Sequence, residues 1–162
     1  MRLLVARLAL TAALSALALT APAPAKSPAD PAAPVRAFID AFNVGDSARG
    51  FAAYAPGSIS IIDEFAPHLW IGPNAAHAWA AGYDAHARAT GVRGGHVGYS
   101  PPTRVEVTGR SAYIIMPTVF TYKLRGRPQV EEATLNAVTR LTPGGWKIVG
   151  WTWTGVAPNA PR

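Results

Sequence analysis

From His96 to about Thr154 the side chains follow a period of two, interrupted only at turn-forming triplets. That period marks half-buried β-strands, because successive side chains point to opposite faces of a sheet. The spacing predicts strands at about 96–108, 111–124, 128–141 and 146–154. Thr108-Gly109-Arg110, Arg125-Gly126-Arg127 and Pro143-Gly144-Gly145 supply the turns. Links this short join antiparallel neighbours only. Pro101-Pro102 lacks the N–H groups a ladder needs, so the first of these strands is expected to bend or bulge there. A meander of this kind must bury one face against something else.

The first half of the chain provides the cover. Val35, Phe38, Ile39 and Phe42 fall at i, i+3, i+4 and i+7, the stripe of a first helix. Gly45 can end it, and Asp46 or Ser47 can cap a short second helix running through Tyr54. Pro56-Gly57 breaks that helix. Ser58 to Phe65 contains Ile59, Ile61 and Ile62 and reads as a short strand ending at Asp63-Glu64, followed by a Phe65–Trp70 loop. Gly72-Pro73-Asn74 forms a turn with an N-cap. A third helix, Ala75 to Thr90, carries Ala75, Ala78, Trp79, Gly82 and His86 on one side and stops at Gly91. Helices segregated ahead of a hairpin-linked sheet define an α+β fold. A strongly bent sheet packed on one long helix leaves a conical cavity between them.

The chain of 162 residues is 49% hydrophobic, enough for one core and too apolar for wholesale disorder. Cysteine is absent, which excludes disulfides, a thiol nucleophile and a cysteine zinc site. Residues 1–25 read as a signal peptide: Arg2 and Arg7 precede the apolar run Leu8 to Leu19, and Ala23-Pro24-Ala25 fits a peptidase site with cleavage after Ala25. A run of about 12 residues is short of the roughly 20 needed to span a bilayer. A periplasmic or secreted protein is expected, with no membrane attachment after cleavage. Residues 26–33 form a Pro/Ala-rich tether, 34–155 the domain and 156–162 a tail. The formal net charge is +6, but the basic residues are scattered. The one dense cluster, Lys123 to Arg127, reads as a solvated hairpin tip, so no nucleic-acid partner is expected.

The element order is joined by four local patterns: Val35-Arg36-Ala37-Phe38-Ile39-Asp40-Ala41-Phe42, Ile61-Ile62-Asp63-Glu64-Phe65, Trp70-Ile71-Gly72-Pro73 and Gly145-Trp146-Lys147-Ile148-Val149-Gly150-Trp151. Together they resemble the nuclear-transport-factor-2-like superfamily, in particular its bacterial SnoaL-like members, over about Pro34 to Gly155. The resemblance implies a cone-shaped barrel of a curved antiparallel sheet on N-terminal helices, and a homodimer formed through the sheet. It implies a small hydrophobic carbonyl or phenolic ligand in an apolar pocket. It also implies a cofactor-free isomerase, cyclase or dehydratase, or else a non-catalytic binding or interaction module, since this fold carries both.

In the isomerase-like members an acid at the end of the first strand is the base, and Asp63 and Glu64 stand at the matching place. Strand alternation lets only one of them face the cavity, and Asp63 is favoured; the alternative is an acid that caps the following loop. Burial in an apolar pocket would raise its pKa toward useful base strength. His68 could assist as a proton shuttle. Trp70 and Trp79 would shape the pocket, with Tyr54 and Tyr113 as phenolic donors and His96 pointing inward. Trp151 and Trp153 share one face of the last strand, which is either a pocket wall or a dimer interface. His77 and His86 lie on opposite faces of one helix, and no metal site or cofactor is expected. The isomerase constellation is incomplete: the first helix offers no Tyr, and the later strands carry only Glu106, Glu131 and Glu132, the last two beside a basic turn.

Overall fold

A proline at the start, a helical apolar stripe and a glycine stop produce α1 (Ala33–Val44). This computed structural model describes residues 30–156. The leader, the tether before Asp30 and the tail beyond Val156 lie outside the described residues. Pro34 occupies the first turn of α1, where a missing N–H costs nothing. Val35, Phe38 and Ile39 are buried. Gly45 ends the helix at φ +70°, a left-handed conformation that glycine adopts without penalty. Asp46 then caps α2 (Ser47–Ala52) by accepting the Arg49 N–H at 3.0 Å.

β1 (Ile59–Ile62) turns back into β2 (Leu69–Gly72), antiparallel, with Ile61 opposite Trp70. The end of the expected Phe65–Trp70 loop is thus a strand, too short for its own period to show. α3 (Ala75–Thr90) starts at Asn74, whose side chain makes no capping bond. Its buried side is Ala75, Ala76 and Trp79, whereas Ala78 is exposed. The strand expected at 96–108 is two strands, β3 (Val92–Tyr99) and β4 (Arg104–Thr108), broken at the two prolines. Both pair with β5 (Ser111–Leu124). β6 (Arg127–Thr142) and β7 (Gly145–Gly155) complete the meander.

The sheet order is β2-β1-β7-β6-β5-β3, with β4 also on β5. β1 runs parallel to β7, and every other pair is antiparallel. The expected all-antiparallel barrel is therefore a mixed, curved sheet that stays open. Two irregularities accompany the curvature. Gly94 and Gly95 oppose Tyr122 alone, and Val149 is the extra residue between the Ile148 and Gly150 registers of β7. Bulges of this kind bend a strand and sharpen its twist.

The helices cover the concave face. Ile61, Ile114 and Ile148 are almost wholly removed from water there, each contributing about 1.5–3 kcal/mol. The open edge of β3 is closed by Asn43 of α1, whose amide accepts from Val97 N at 2.7 Å and donates to Val97 O at 2.9 Å. This satisfies backbone groups that an edge strand leaves unpaired.

The parallel joint tolerates no side chain at Gly150. A Cβ there would lie 2.9 Å from the Ser60 carbonyl oxygen, a backbone atom that cannot step aside. Gly150→Ala is expected to lower stability by about 1–3 kcal/mol in chemical denaturation. Gly144→Ala, whose Cβ would meet nothing nearer than 3.8 Å, should stay within about 0.5 kcal/mol.

Candidate active site

Four elements converge on a cavity of about 120 Å³ between the helices and the concave face. α1 supplies Phe38 and Phe42. α3 supplies Trp79, Tyr83 and His86 at i, i+4 and i+7, one stripe of the helix. The sheet supplies Phe120, Tyr122, Glu131, Leu135, Trp151 and Trp153, and the end of β1 supplies Asp63, Glu64 and Phe65. The walls are mainly aromatic rings in edge or tilted contact: Trp79 lies 5.7 Å from Phe38 and 5.2 Å from Trp151. Among the described residues no Lys or Arg lines the cavity, although the whole chain carries a formal charge of +6.

Asp63 is fixed at both oxygens. Oδ2 accepts the Trp79 indole N–H at 2.7 Å, and Oδ1 accepts the Glu64 backbone N–H at 2.7 Å. The two roles posed for this residue, a pocket acid and a loop cap, are combined in one side chain. Burial raises its pKa; the Trp79 and Glu64 hydrogen bonds work against that rise, and the Glu131 charge adds to it.

Both neighbours line the cavity, against the expectation that only one could. The reason is geometric: β1 ends at Ile62, so strand alternation no longer governs residues 63 and 64. Glu64 Oε2 and Glu131 Oε1 both approach Gly155, 3.2 and 2.0 Å from where a Cβ would sit, so the two carboxyls adjoin. Glu131 is 2% exposed, and its Oε1 accepts the Trp153 indole N–H at 2.6 Å. Gly155 makes room for this pair, since a Cβ there would sit 2.0 Å from Glu131 Oε1. Partial burial and the adjoining Glu131 push Glu64 from the ordinary 4.5 up to about 7. Tyr83 is pushed up to about 12 by burial and by the Asp63 charge, so it stays a neutral phenol at physiological pH.

The remaining expected residues are distributed as follows. Trp151 and Trp153 face the cavity rather than the outer surface. Tyr54 is buried behind it, its hydroxyl accepting the Trp151 N–H at 2.8 Å, and it lines a second cavity of about 340 Å³ between the helices. Trp70 is buried beneath α3, its ring 5.0 Å from Phe65, and stands outside the cavity lining. His68 lies on the exposed β1–β2 turn at φ +72°, with Nδ1 3.2 Å from the main-chain oxygen of Asp63, away from the carboxylate. His96 is exposed and pairs with Thr121, on the outer face. Tyr113 is also outside, beneath the Arg104 guanidinium.

Sequence reasoning passed over Glu131, His86, Tyr83 and Tyr122. Glu131 shares its parity with the buried Ala133, Leu135 and Ala137, a signal obscured by the basic turn nearby. Among the described residues no group of three or more His, Asp or Glu is arranged to hold a metal ion.

An α+β cone of this kind, open at one end and lined by its sheet, is the nuclear-transport-factor-2-like fold. The chain is similar to a nuclear-transport-factor-2-like superfamily protein from Salmonella enterica serovar Typhimurium: TM-score 0.63, 18% identity, 77% of this chain and 87% of that one. It is similar to a ketosteroid isomerase-like protein from Erwinia carotovora atroseptica: TM-score 0.60, 17% identity, 78% and 93% covered. A type 2 hexachlorocyclohexane dehydrochlorinase matches at TM-score 0.66 and 11% identity, with 80% and 88% covered. No protein-family model and no curated protein matches the sequence.

The raised carboxyl of Glu64 has a consequence for stability. Between 4.5 and about 7 the folded chain holds a proton that the unfolded chain has released, so stability falls as pH rises through that window. Thermal melts are expected to show this fall in the wild type. Glu64→Gln, which cannot ionise, should flatten it; an unchanged slope would place the titration elsewhere.

Proposed function

We propose that this chain is an exported protein whose cavity takes a small hydrophobic carbonyl or phenolic compound and moves a proton on it without a cofactor, with Asp63 as the base. One observation carries the reading: a carboxylate held by Trp79 Nε1 inside an aromatic wall, with burial raising its pKa. A carboxylate in water is a weak base, and removal from water strengthens it. Asp63 takes the hydrogen beside a carbonyl, and the C–H electron pair spreads onto the carbonyl oxygen. Returning that proton to another carbon is isomerisation; expulsion of a leaving group instead is elimination. Similar folds named as an isomerase-like protein and a dehydrochlorinase lend support to this chemistry.

The volume restricts the ligand. A cavity near 150 Å³ accommodates benzene, so about 120 Å³ favours a compound of one ring over a fused polycycle. Tyr83, a neutral phenol, can orient it.

A non-catalytic binding or interaction module is the second reading. It is favoured by the hydrogen bond from Glu64 N to Asp63, which gives the acid a structural task of its own. The outer face of the sheet is also apolar where Tyr113 and Val138 pair, each exposed. That face would join two copies in a homodimer.

Two measurements test these statements. Native mass spectrometry of protein from the periplasmic fraction should give a dimer of chains that begin at Lys26. A monomer would remove the dimer, and a retained leader would remove the cleavage site. The second follows exchange of the hydrogens beside the carbonyl of cyclohex-2-enone in D2O by proton NMR, with binding read from tryptophan quenching. Wild-type exchange is expected to fall by about 10²–10⁴-fold in Asp63→Asn. Saturable binding with no exchange above buffer would select the binding module.

A further inference from the structure

Two carboxyl groups brought into contact repel each other when both are ionised, so such a pair favours keeping one proton. Glu64 and Glu131 make such a contact at the wall of the cavity, on the side of Gly155. Their environments differ. Glu131 is almost completely buried, and one of its oxygens is committed to the Trp153 indole. Glu64 lines the same cavity and is the more exposed partner, so its proton is the one a bound molecule can reach. Asp63 and Glu64 are adjacent in the chain but anchored to different elements. Trp79 of α3 holds the first, and Glu131 of β6, itself held by Trp153 of β7, holds the second.

We propose that Glu64 is the second proton-transfer group of this cavity, giving its carboxyl proton to the oxygen of a ligand whose C–H bond faces Asp63. The proposal rests on reading the cavity as a proton-transfer site. Asp63 takes the proton from carbon, and the C–H pair becomes the C=C bond of an enol. The carbonyl π pair takes the Glu64 proton to form the enol O–H, leaving Glu64 as a carboxylate. Glu64 and Glu131 are then both charged and in contact, which favours return of the proton to Glu64 as Asp63 reprotonates a carbon. The cycle ends with both groups restored and no net gain or loss of protons.

Glu131 on β6 and Asp63 beside it favour the protonated form of Glu64. The Tyr122 phenol on β5 and His86 of α3 also line the cavity, and His86 works the other way on Asp63. Among the described residues no Lys or Arg in the lining offsets the two acids. This keeps Glu64 a usable donor up to about pH 7.

Infrared difference spectra between about pH 6 and about pH 9 should show the carbonyl band of a protonated carboxyl disappear in the wild type and in Asp63→Asn. Glu64→Gln should lack the band. Glu131→Gln, which keeps an oxygen for Trp153, should shift its midpoint toward the ordinary glutamate range. The dissociation constant of cyclohex-2-enone should rise about tenfold across the same interval in the wild type and not in Glu64→Gln. A band that survives in Glu64→Gln, or wild-type binding indifferent to pH, overturns the assignment. If the band is missing while exchange at carbon persists, the donor role falls and the function of Asp63 stands. If the band is present but cyclohex-2-enone binds at no pH, the proton-transfer reading fails and takes the donor role with it.

Discussion

One hydrogen bond, from the Trp79 indole to the Asp63 carboxylate, decides where the cavity is and what it contains. It joins the end of β1, in the sheet, to the middle of α3, in the cover. The Trp79 ring that it fixes also contacts Phe38, Tyr83 and Trp151, so the acid and the aromatic wall are held as one unit. Inside a wall of this kind the local dielectric is low, which strengthens the bond and raises the cost of leaving either partner unsatisfied. An Asp63 without it would have reason to turn outward to water at the strand end.

The cavity gathers what folding ordinarily disfavours. Three carboxyl groups share it, one almost fully buried, and among the described residues no Lys or Arg stands with them. The chain satisfies these groups with indole donors instead, Trp79 for Asp63 and Trp153 for Glu131. An indole N–H supplies a hydrogen bond without a full charge, so it stabilises a carboxylate less than an arginine would. Burial raises the pKa of Asp63, and burial with the adjoining Glu131 raises that of Glu64 to about 7. Such a combination contributes little to stability, and proton transfer is the chemistry that would use it.

The similar folds compared above share at most 18% identity with this chain. What persists at that distance is the fold; in this chain bulges, a broken strand and one parallel joint bend the sheet. These fix a cone, and the side chains lining the cone are free to differ. The set found here is indoles on carboxyls, and a carboxyl pair resting on a glycine.

The elements were legible in the sequence because their causes are local. The Val35–Phe42 stripe, the Gly45 stop and the two-residue period of β5, β6 and β7 depend on neighbours a few positions away, and each appears as read. A bend at Pro101-Pro102 was visible for the same reason, although the chain there divides into two strands. Asp63, Glu64, Trp79, Trp151 and Trp153 were also picked from the sequence and stand together on the cavity. His68, His96 and Tyr113 were not separable from them by type or spacing, since their direction depends on a turn or on strand parity within the finished sheet. Glu131 is the clearest case: its sequence neighbours are a basic turn, while its spatial neighbours are Glu64 and Trp153. By itself the sequence determined the three helices, β1 and the β5–β7 meander, and which residues could carry acid–base chemistry. Only the tertiary structure decided which acids meet, because that follows from the β1–β7 joint and the bulged register, contacts made between residues far apart in the chain.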